Sequence, residues 1–474
     1  MKILVPCLCL LSALVLCDQD RVKAQDTNQP VKSSSASSAD EIEALKNRVA
    51  ELERQNREAL RMLAEIKAKL DTAESGKAAP AAPAFDQKTV VNAPPNAESV
   101  RWNEVTAGGS KIRLYGFLRF DMMIDSQHPN NPQVAQFISS SDPSAGGKPG
   151  AGNFTATPRQ TRLGIEFTGP RIAALNGAKL NGQLEVDFNS NPGGPESRPL
   201  LRARHANLKL DWERFTILAG QTWDVISPLL PIVNNQGDMN YAGNVGDRRP
   251  QLRAEWRPKT GKGQWTVTGA VGLTGAVDSL DLDNDGYRDG EESGRPNVQS
   301  RIAYSRALWA SDQPATFAVS GWYAWENTAR PFAGRTDFTS QLMSIDYRLP
   351  LTSRVALRGE GWWGRNLLDV RGGVAQGINP TTGREIRARG GWAELAYKIS
   401  KQWTLYPGYT VDDPVDEDAP ARGRTRNRAF YVGNRITPAS PITFGLDYLR
   451  WRTDYKGLAR GVDNRVNIFL QYNF

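Results

Sequence analysis

Residues 465–474 read RVNIFLQYNF, and Val466, Ile468, Leu470, Tyr472 and Phe474 alternate to the last position of the chain. A period of two places all five on one face of an extended strand. The same pattern appears in residues 111–125. Ile112, Leu114, Leu118, Phe120, Met122 and Ile124 share one face, and Lys111, Arg113, Arg119, Asp121 and Asp125 share the other. Alternation over more than ten residues is long for a globular strand and right for a strand tilted across a bilayer. It recurs at 178–188, 249–256 and 354–363, where Arg and Glu fill the polar face and the apolar face ends in aromatics. A lumen and an interfacial girdle have that composition.

The rest of the chain fits around these strands. It has 474 residues, 39% of them apolar, and a mean hydropathy of −0.50. That average excludes a polytopic helical membrane protein but not a barrel, whose alternating faces average to a polar composition. Connections alternate between long and short. Long ones are expected near 126–158, 190–199, 225–247, 275–297, 327–335, 365–385, 413–424 and 453–461. Short ones are expected near 170–176, 213, 258–263, 310–314, 348–352, 399–401 and 435–440. The pattern predicts an all-β transmembrane barrel of about 16 antiparallel strands over residues 111–474, with an N-terminal α-helical coiled coil before it. Long loops face the exterior and short turns the periplasm. A terminal Phe on such a strand resembles the assembly signal of bacterial outer-membrane barrels, so the barrel-assembly machinery is an expected partner.

Upstream, residues 1–24 read as a secretory signal peptide, with Lys2, an apolar core from Ile3 to Cys17, and small residues in Val22-Lys23-Ala24. Cys7, Cys9 and Cys17 all lie within it. Leu16 before Cys17 argues against a lipoprotein anchor. The mature chain therefore has no thiol, and with 2 His in all it is a poor candidate for thiol, His or Cys/His-metal catalysis. Its charge is (59 − 3) − (51 − 2) = +7. Residues 25–39 form a flexible polar segment. Residues 40–75 carry unbroken heptads, with Ile42, Val49, Asn56, Leu63 and Leu70 at a and Leu45, Leu52, Ala59 and Ile66 at d. The pairs Glu41–Lys46 and Arg48–Glu53 favour a parallel coil, and RVAELE at 48–53 resembles a trimerisation signature. Residues 76–110 form an Ala/Pro-rich linker.

The expected pore-lining, anion-binding set is Arg113, Arg119, Arg162, Arg253 and Arg358, opposed by acids that include Glu255 and Glu360. Facing rows of arginine and carboxylate set a transverse field. By resemblance to general porins, whose third loop folds inward and narrows the pore, the third long connection, with Asp224 and Asp238, is the constriction candidate; a loop packing over the mouth is the alternative. Arg422, Arg424, Arg426 and Arg428 recur at every second position, read either as an anion-attracting mouth or as a set paired with the acidic stretch 412–418. His128 and His205 read as surface or strand-end residues. In the fourth long connection, DLDNDGYRDGEE at 281–292 follows the twelve-position calcium loop. Asp281, Asp283, Asp285, Asp289 and Glu292 stand at positions 1, 3, 5, 9 and 12, Gly286 at 6, and Tyr287 at 7 completes the ligand set. Arg288 departs from the apolar residue usual at position 8. The loop reads either as a structural calcium site or as a solvated acidic loop, and no other cofactor is expected.

Taken together, the signal peptide, coiled coil, Pro/Ala linker, LYGF at 114–117, RQTRLG at 159–164, RHA at 204–206 and LAGQTW at 218–223 resemble the DcaP-type trimeric outer-membrane porins. That resemblance implies a sixteen-stranded homotrimer with a periplasmic coiled coil, set in outer-membrane lipid and lipopolysaccharide of a Gram-negative-type bacterium. It also implies a diffusion channel for dicarboxylates and other small anionic solutes, not an enzyme and with no nucleic-acid partner. Phosphate-selective porins are a neighbouring resemblance. A phosphate- or sugar-preferring porin, or a barrel-anchored envelope tether or adhesin, are the alternatives. Deleting residues 40–75 is expected to weaken the oligomer, seen as loss of the trimer band on a non-denaturing gel; an unchanged band rejects the trimerisation role.

Overall fold

The computed structural model describes Arg54 and residues 103–107, 109–190, 195–234, 237–259, 261–308 and 313–474. The signal peptide, the polar segment, the coiled coil apart from Arg54, and most of the linker lie outside the described residues. The strands are β1 (Glu104–Ala107), β2 (Ser110–Asp125), β3 (Asn153–Thr157), β4 (Arg162–Ile172), β5 (Ala178–Asp187), β6 (Arg202–Asp211), β7 (Phe215–Trp223), β8 (Arg248–Trp256) and β9 (Gln264–Gly272). They continue as β10 (Asn297–Arg306), β11 (Ala315–Phe332), β12 (Arg335–Pro350), β13 (Val355–Arg365), β14 (Arg387–Lys398), β15 (Trp403–Pro414), β16 (Arg424–Ala439), β17 (Ile442–Tyr455) and β18 (Leu458–Asn473).

From β4 to β18 each strand pairs antiparallel with the next, and β18 pairs with β2 to close the sheet. β3 and β4 pair end to end with β2, through 121–125 and 111–117, and count as one interrupted strand. β1 only folds back on the start of β2. The result is a closed antiparallel barrel of 16 strands. Proline lacks an amide donor, so the ladder breaks at Pro158. There Thr161 Oγ1 accepts the Arg119 amide at 3.0 Å, and the buried Arg159 pairs with Glu196 at 3.1 Å.

Alternation sorts the side chains as expected. Leu118, Leu252, Ile302, Val319 and Leu470 are each more than half exposed on the outer wall. Phe215, Trp256, Trp265, Phe317, Trp403 and Tyr472 ring the turn end of that face, and Phe154, Tyr323, Trp363 and Tyr448 approach the loop end. An apolar band between aromatic girdles matches the hydrocarbon slab of a membrane.

Two expected long connections are corrected. Residues 327–335 and 453–461 are mostly strand, closed by tight turns at Ala333-Gly334 and Lys456-Gly457. Ala333 and Gly334 both have positive φ (47° and 84°), the requirement of a two-residue hairpin that follows strand twist. Polar residues such as Thr336 and Asp337 lie on strands that continue above the apolar band, which is why they read as loop. The first long connection is also shorter than expected, because 153–157 is β3. The uneven parity near 200–206 has a local cause. Glu185 pairs with His205 but Val186 with Ala203, so Arg204 is an extra bulged residue, and Arg204 and His205 are both buried inside the barrel. A bulge re-aims side chains in this way.

Three connections fold into the barrel. Ala135 and Ile138 of loop one (126–152) pack with Val233, Met239 and Ala242 of loop three (224–247) against Tyr431, Leu449 and Trp451. Leu367 and Val370 of loop six (366–386) pack with Ile226 and Val245 of loop three against Trp322, Leu342 and Trp362. The barrel thus holds two small apolar cores, one on each side of loop three. A Cβ on Gly243 (φ +120°) meets the main-chain Gly391 O at 2.5 Å and Val411 N at 2.9 Å. Gly243→Val is therefore expected to unseat loop three while leaving the barrel closed. Chymotrypsin is then expected to cut near Leu229 or Tyr241 while the heat-resistant barrel band persists; a loop as resistant as the parent's contradicts this packing.

Candidate functional site: the constriction

Loop three is irregular chain in the barrel interior, so its polar backbone must find partners. The wall supplies them strand by strand. Val225 N donates to Gln299 Oε1 on β10 (2.7 Å), and Ser344 Oγ on β12 donates to Ile226 O (2.7 Å). Ser227 Oγ donates to Glu360 Oε2 on β13 (2.5 Å), and Ile232 N to Glu394 Oε2 on β14 (2.7 Å). Asn234 N reaches Asp447 Oδ2 on β17 (2.7 Å), and Asn234 Nδ2 reaches Asp121 Oδ1 on β2 (2.6 Å). On the return, Asn427 on β16 donates to Tyr241 O (2.8 Å) and Trp362 on β13 to Gly243 O (2.7 Å).

The two ends of the loop are clamped at Arg249 on β8. Its side chain is fully buried and binds Asp224 (Nε–Oδ1 2.7 Å), Asp369 of loop six (Nη1–Oδ2 2.7 Å) and the Asp369 carbonyl (2.6 Å). Asp369 also accepts the Gly275 and Val277 amides of loop four (273–296) at 3.0 Å each. One guanidinium therefore ties loops three, four and six together. Arg371 of loop six and Arg248 both pair with Asp247 (2.9 and 3.2 Å) and hold its carboxyl well below the usual range against the opposing effect of burial.

The wall from β4 to β8 faces the loop with a row of cations. Arg202 grips Asp187 with two parallel hydrogen bonds (3.0 and 2.7 Å). Arg204 binds Glu185 (2.7 Å) and Asp187 (2.9 Å), and Arg162 lies 3.5 Å from Glu185. Arg248 stacks over Trp223 with 4.3 Å to the ring centroid. Asp238 of loop three interacts electrostatically with Arg162, Arg204 and Arg248. The carboxylates of Glu185 and Asp187 are fully covered, whereas the Arg202 side chain is 31% exposed. Of these cations Arg202 keeps an exposed edge, while the side chains of Arg162, Arg204 and Arg248 are nearly covered.

The sequence-expected residues divide accordingly. Arg162 lies in the arginine row, within electrostatic range of Asp238. Asp224 is part of the Arg249 clamp. Arg358 holds the Leu230 carbonyl and Glu394 (3.1 Å), and Glu360 holds Ser227, so both anchor the loop. Arg119 pairs with Asp121 (2.8 Å) beneath Phe469, and Arg253 binds Gln251 (2.9 Å) and the Trp223 carbonyl. Arg113, with Glu166 at 2.6 Å, sits eight residues before Asp121, about 26 Å along the strand and away from the constriction. Glu255 pairs with Arg257. His205 is buried, with Nδ1 3.1 Å from Thr222 Oγ1, which corrects its reading as a surface or strand-end residue. The arginine ladder splits at a register shift between Arg424 and Arg426. Arg424 holds the Val374 and Ala375 carbonyls (2.7 and 3.0 Å), and Arg426 pairs with Asp413 (2.6 Å), so these two serve pairing and loop anchoring. Arg202, Arg204, Arg248 and Arg249 were not in the expected pore set. The adjacent Arg248-Arg249 pair directly after the third connection is the sequence signal that marks them.

With this geometry the chain can be set beside known proteins. No protein-family model matches it, and no curated protein matches it in sequence. Among solved structures, the outer-membrane channel DcaP of Acinetobacter baumannii superposes with a TM-score of 0.62 at 19% identity, over 78% of this chain and 99% of that one. The fold is that of the DcaP channel. OmpT of Vibrio cholerae (TM-score 0.49, 11% identity, 78% of this chain and 100% of that one) is a weaker likeness. So is an anion-selective porin from Comamonas acidovorans (0.49, 11%, 77% and 100%).

Arg249→Ala leaves Asp224 and Asp369 buried without their shared cation, a loss of about 3–5 kcal/mol. The expected result is a lower unfolding temperature of the detergent-solubilised barrel together with protease access to loop three. Parental values for both would show that the clamp carries no load.

Proposed function

We propose that this chain is a DcaP-like outer-membrane porin through which small anionic solutes diffuse, with dicarboxylates the favoured class. The reading rests on the cationic wall of Arg162, Arg202, Arg204 and Arg248 opposite Asp238. A guanidinium fork matches a carboxylate with two parallel hydrogen bonds, as Arg202 already does with Asp187. The transverse field between wall and loop orients charged solutes without trapping them, because each arginine already has an internal partner. The proposed role is passive diffusion, not catalysis. The proposed assembly is a homotrimer in outer-membrane lipid and lipopolysaccharide, inserted by the barrel-assembly machinery, with the coiled coil in the periplasm.

The test is reversal potential across a planar bilayer in a salt gradient, repeated with succinate and with phosphate. Three equal conductance steps with anion bias, and a larger bias toward succinate, are expected. Arg202→Gln combined with Arg204→Gln should reduce the anion preference by roughly tenfold or less, a local-concentration effect that shrinks with added salt. Cation bias overturns the reading, a phosphate preference moves it to the neighbouring porin class, and no conductance leaves an envelope tether.

A further inference from the structure

Loop four holds a group of charges that a diffusion pore does not require. Carboxylate oxygens of Asp281, Asp283 and Asp285 lie within 4.8 Å of one another, and so do those of Asp283, Asp289 and Glu292. Asp283 belongs to both groups and joins them into one five-carboxylate cluster. The chain bends tightly to achieve this, with Asn284 and Gly286 at φ of 56° and 94°.

Clustered carboxylates in solvent are common, but this cluster is partly enclosed. The Asp283 side chain is only 3% exposed. Its Oδ2 accepts the Arg330 amide at 2.7 Å, while its Oδ1 is buried with no hydrogen-bond donor among the described residues. Glu292 Oε2 is enclosed in the same way, without a donor. Asp289 is fully buried and receives the Leu282 amide at 3.2 Å. Buried carboxylate oxygens without donors are costly unless a cation completes them. The nearby arginines do not. Arg288 turns to Glu291 (2.5 Å), and Arg330 stays 3.8 Å from Asp283 with most of its side chain in solvent.

We propose that residues 281–292 bind one calcium ion through the carboxylates of Asp281, Asp283, Asp285, Asp289 and Glu292, with the main-chain carbonyl of Tyr287 as the further oxygen donor. An all-oxygen set rich in carboxylates on an adaptable loop suits calcium, whereas magnesium demands a smaller octahedral shell and keeps its waters. The bound ion fixes loop four to the end of β11, because Arg330 also donates from Nη2 to the Asp283 carbonyl at 2.9 Å. Gly275 and Val277 already tie the other end of the loop to Asp369. The site is independent of solute choice, so its failure leaves the porin reading standing.

The experiment uses the full detergent-purified protein, stripped with chelator, and titrates calcium chloride by calorimetry with terbium luminescence as a second readout. One site per chain is expected, in the range of about 10⁻⁴–10⁻³ M typical of extracellular calcium modules. Asp283→Asn with Glu292→Gln is expected to weaken binding at least tenfold while the heat-resistant barrel band is kept. Calcium is also expected to protect the parent, but not the variant, from trypsin at Arg288. Absence of heat and luminescence up to about 10 mM calcium overturns the proposal. Equal binding by parent and variant also overturns it, and assigns the metal to co-purified lipid. Magnesium competing at equal concentration overturns the choice of calcium.

Discussion

The interior of this barrel depends on one constraint: irregular backbone can lie inside it only where every polar group is matched. Loop three approaches that condition among the described residues by drawing acceptors from many strands. Glu360, Glu394, Asp447 and Asp121 come from β13, β14, β17 and β2, and each accepts a hydrogen bond from the loop. The loop therefore cannot shift as a unit without breaking bonds on opposite sides of the sheet. The two apolar cores around Trp362 and Trp451 then fill the space that the hydrogen bonds define. Packing alone would allow several seatings of the loop, and the carboxylates select one.

The same arrangement decides which charges a solute meets. On the β10-to-β2 side Glu360, Glu394, Asp447 and Asp121 are engaged by the loop, and Glu185 and Asp187 on the other side are covered by arginines. Arg202 keeps an exposed edge. Total charge gives no hint of this, since +7 could be spread anywhere on the molecule. The β6 bulge at Arg204 contributes directly: with regular alternation Arg204 and His205 would point to opposite faces, and only one would enter the lumen.

The strands were legible because their signal is local. The alternation in 111–125 and 465–474 names the outward face residue by residue, and Leu118, Phe120 and Leu470 lie there. The inward fold of loop three was expected from the resemblance to general porins. Its anchors were not, because Arg249 is 120 residues from Asp369, and Ile232 is 162 from Glu394. No pattern within a single strand distinguishes an inward acid that lines a pore from one that holds a loop. Asp224 and Asp238 show the difference within one segment. Both are acidic and both belong to the loop, yet one is buried against Arg249 at its base and the other faces the arginine wall.

An acidic loop beside an arginine-lined interior looks contradictory until distances are considered. Screening at physiological ionic strength has a range of about 8 Å. Carboxylates of loop four act on a solute only if the loop swings over the entrance. Its base is fixed through Gly275 and Val277 to Asp369, which is bonded to the guanidinium that clamps loop three. Its acidic half is fixed to β11 through Arg330. Both ends of loop four are therefore tied down, one to Asp369 of loop six and one to the end of β11.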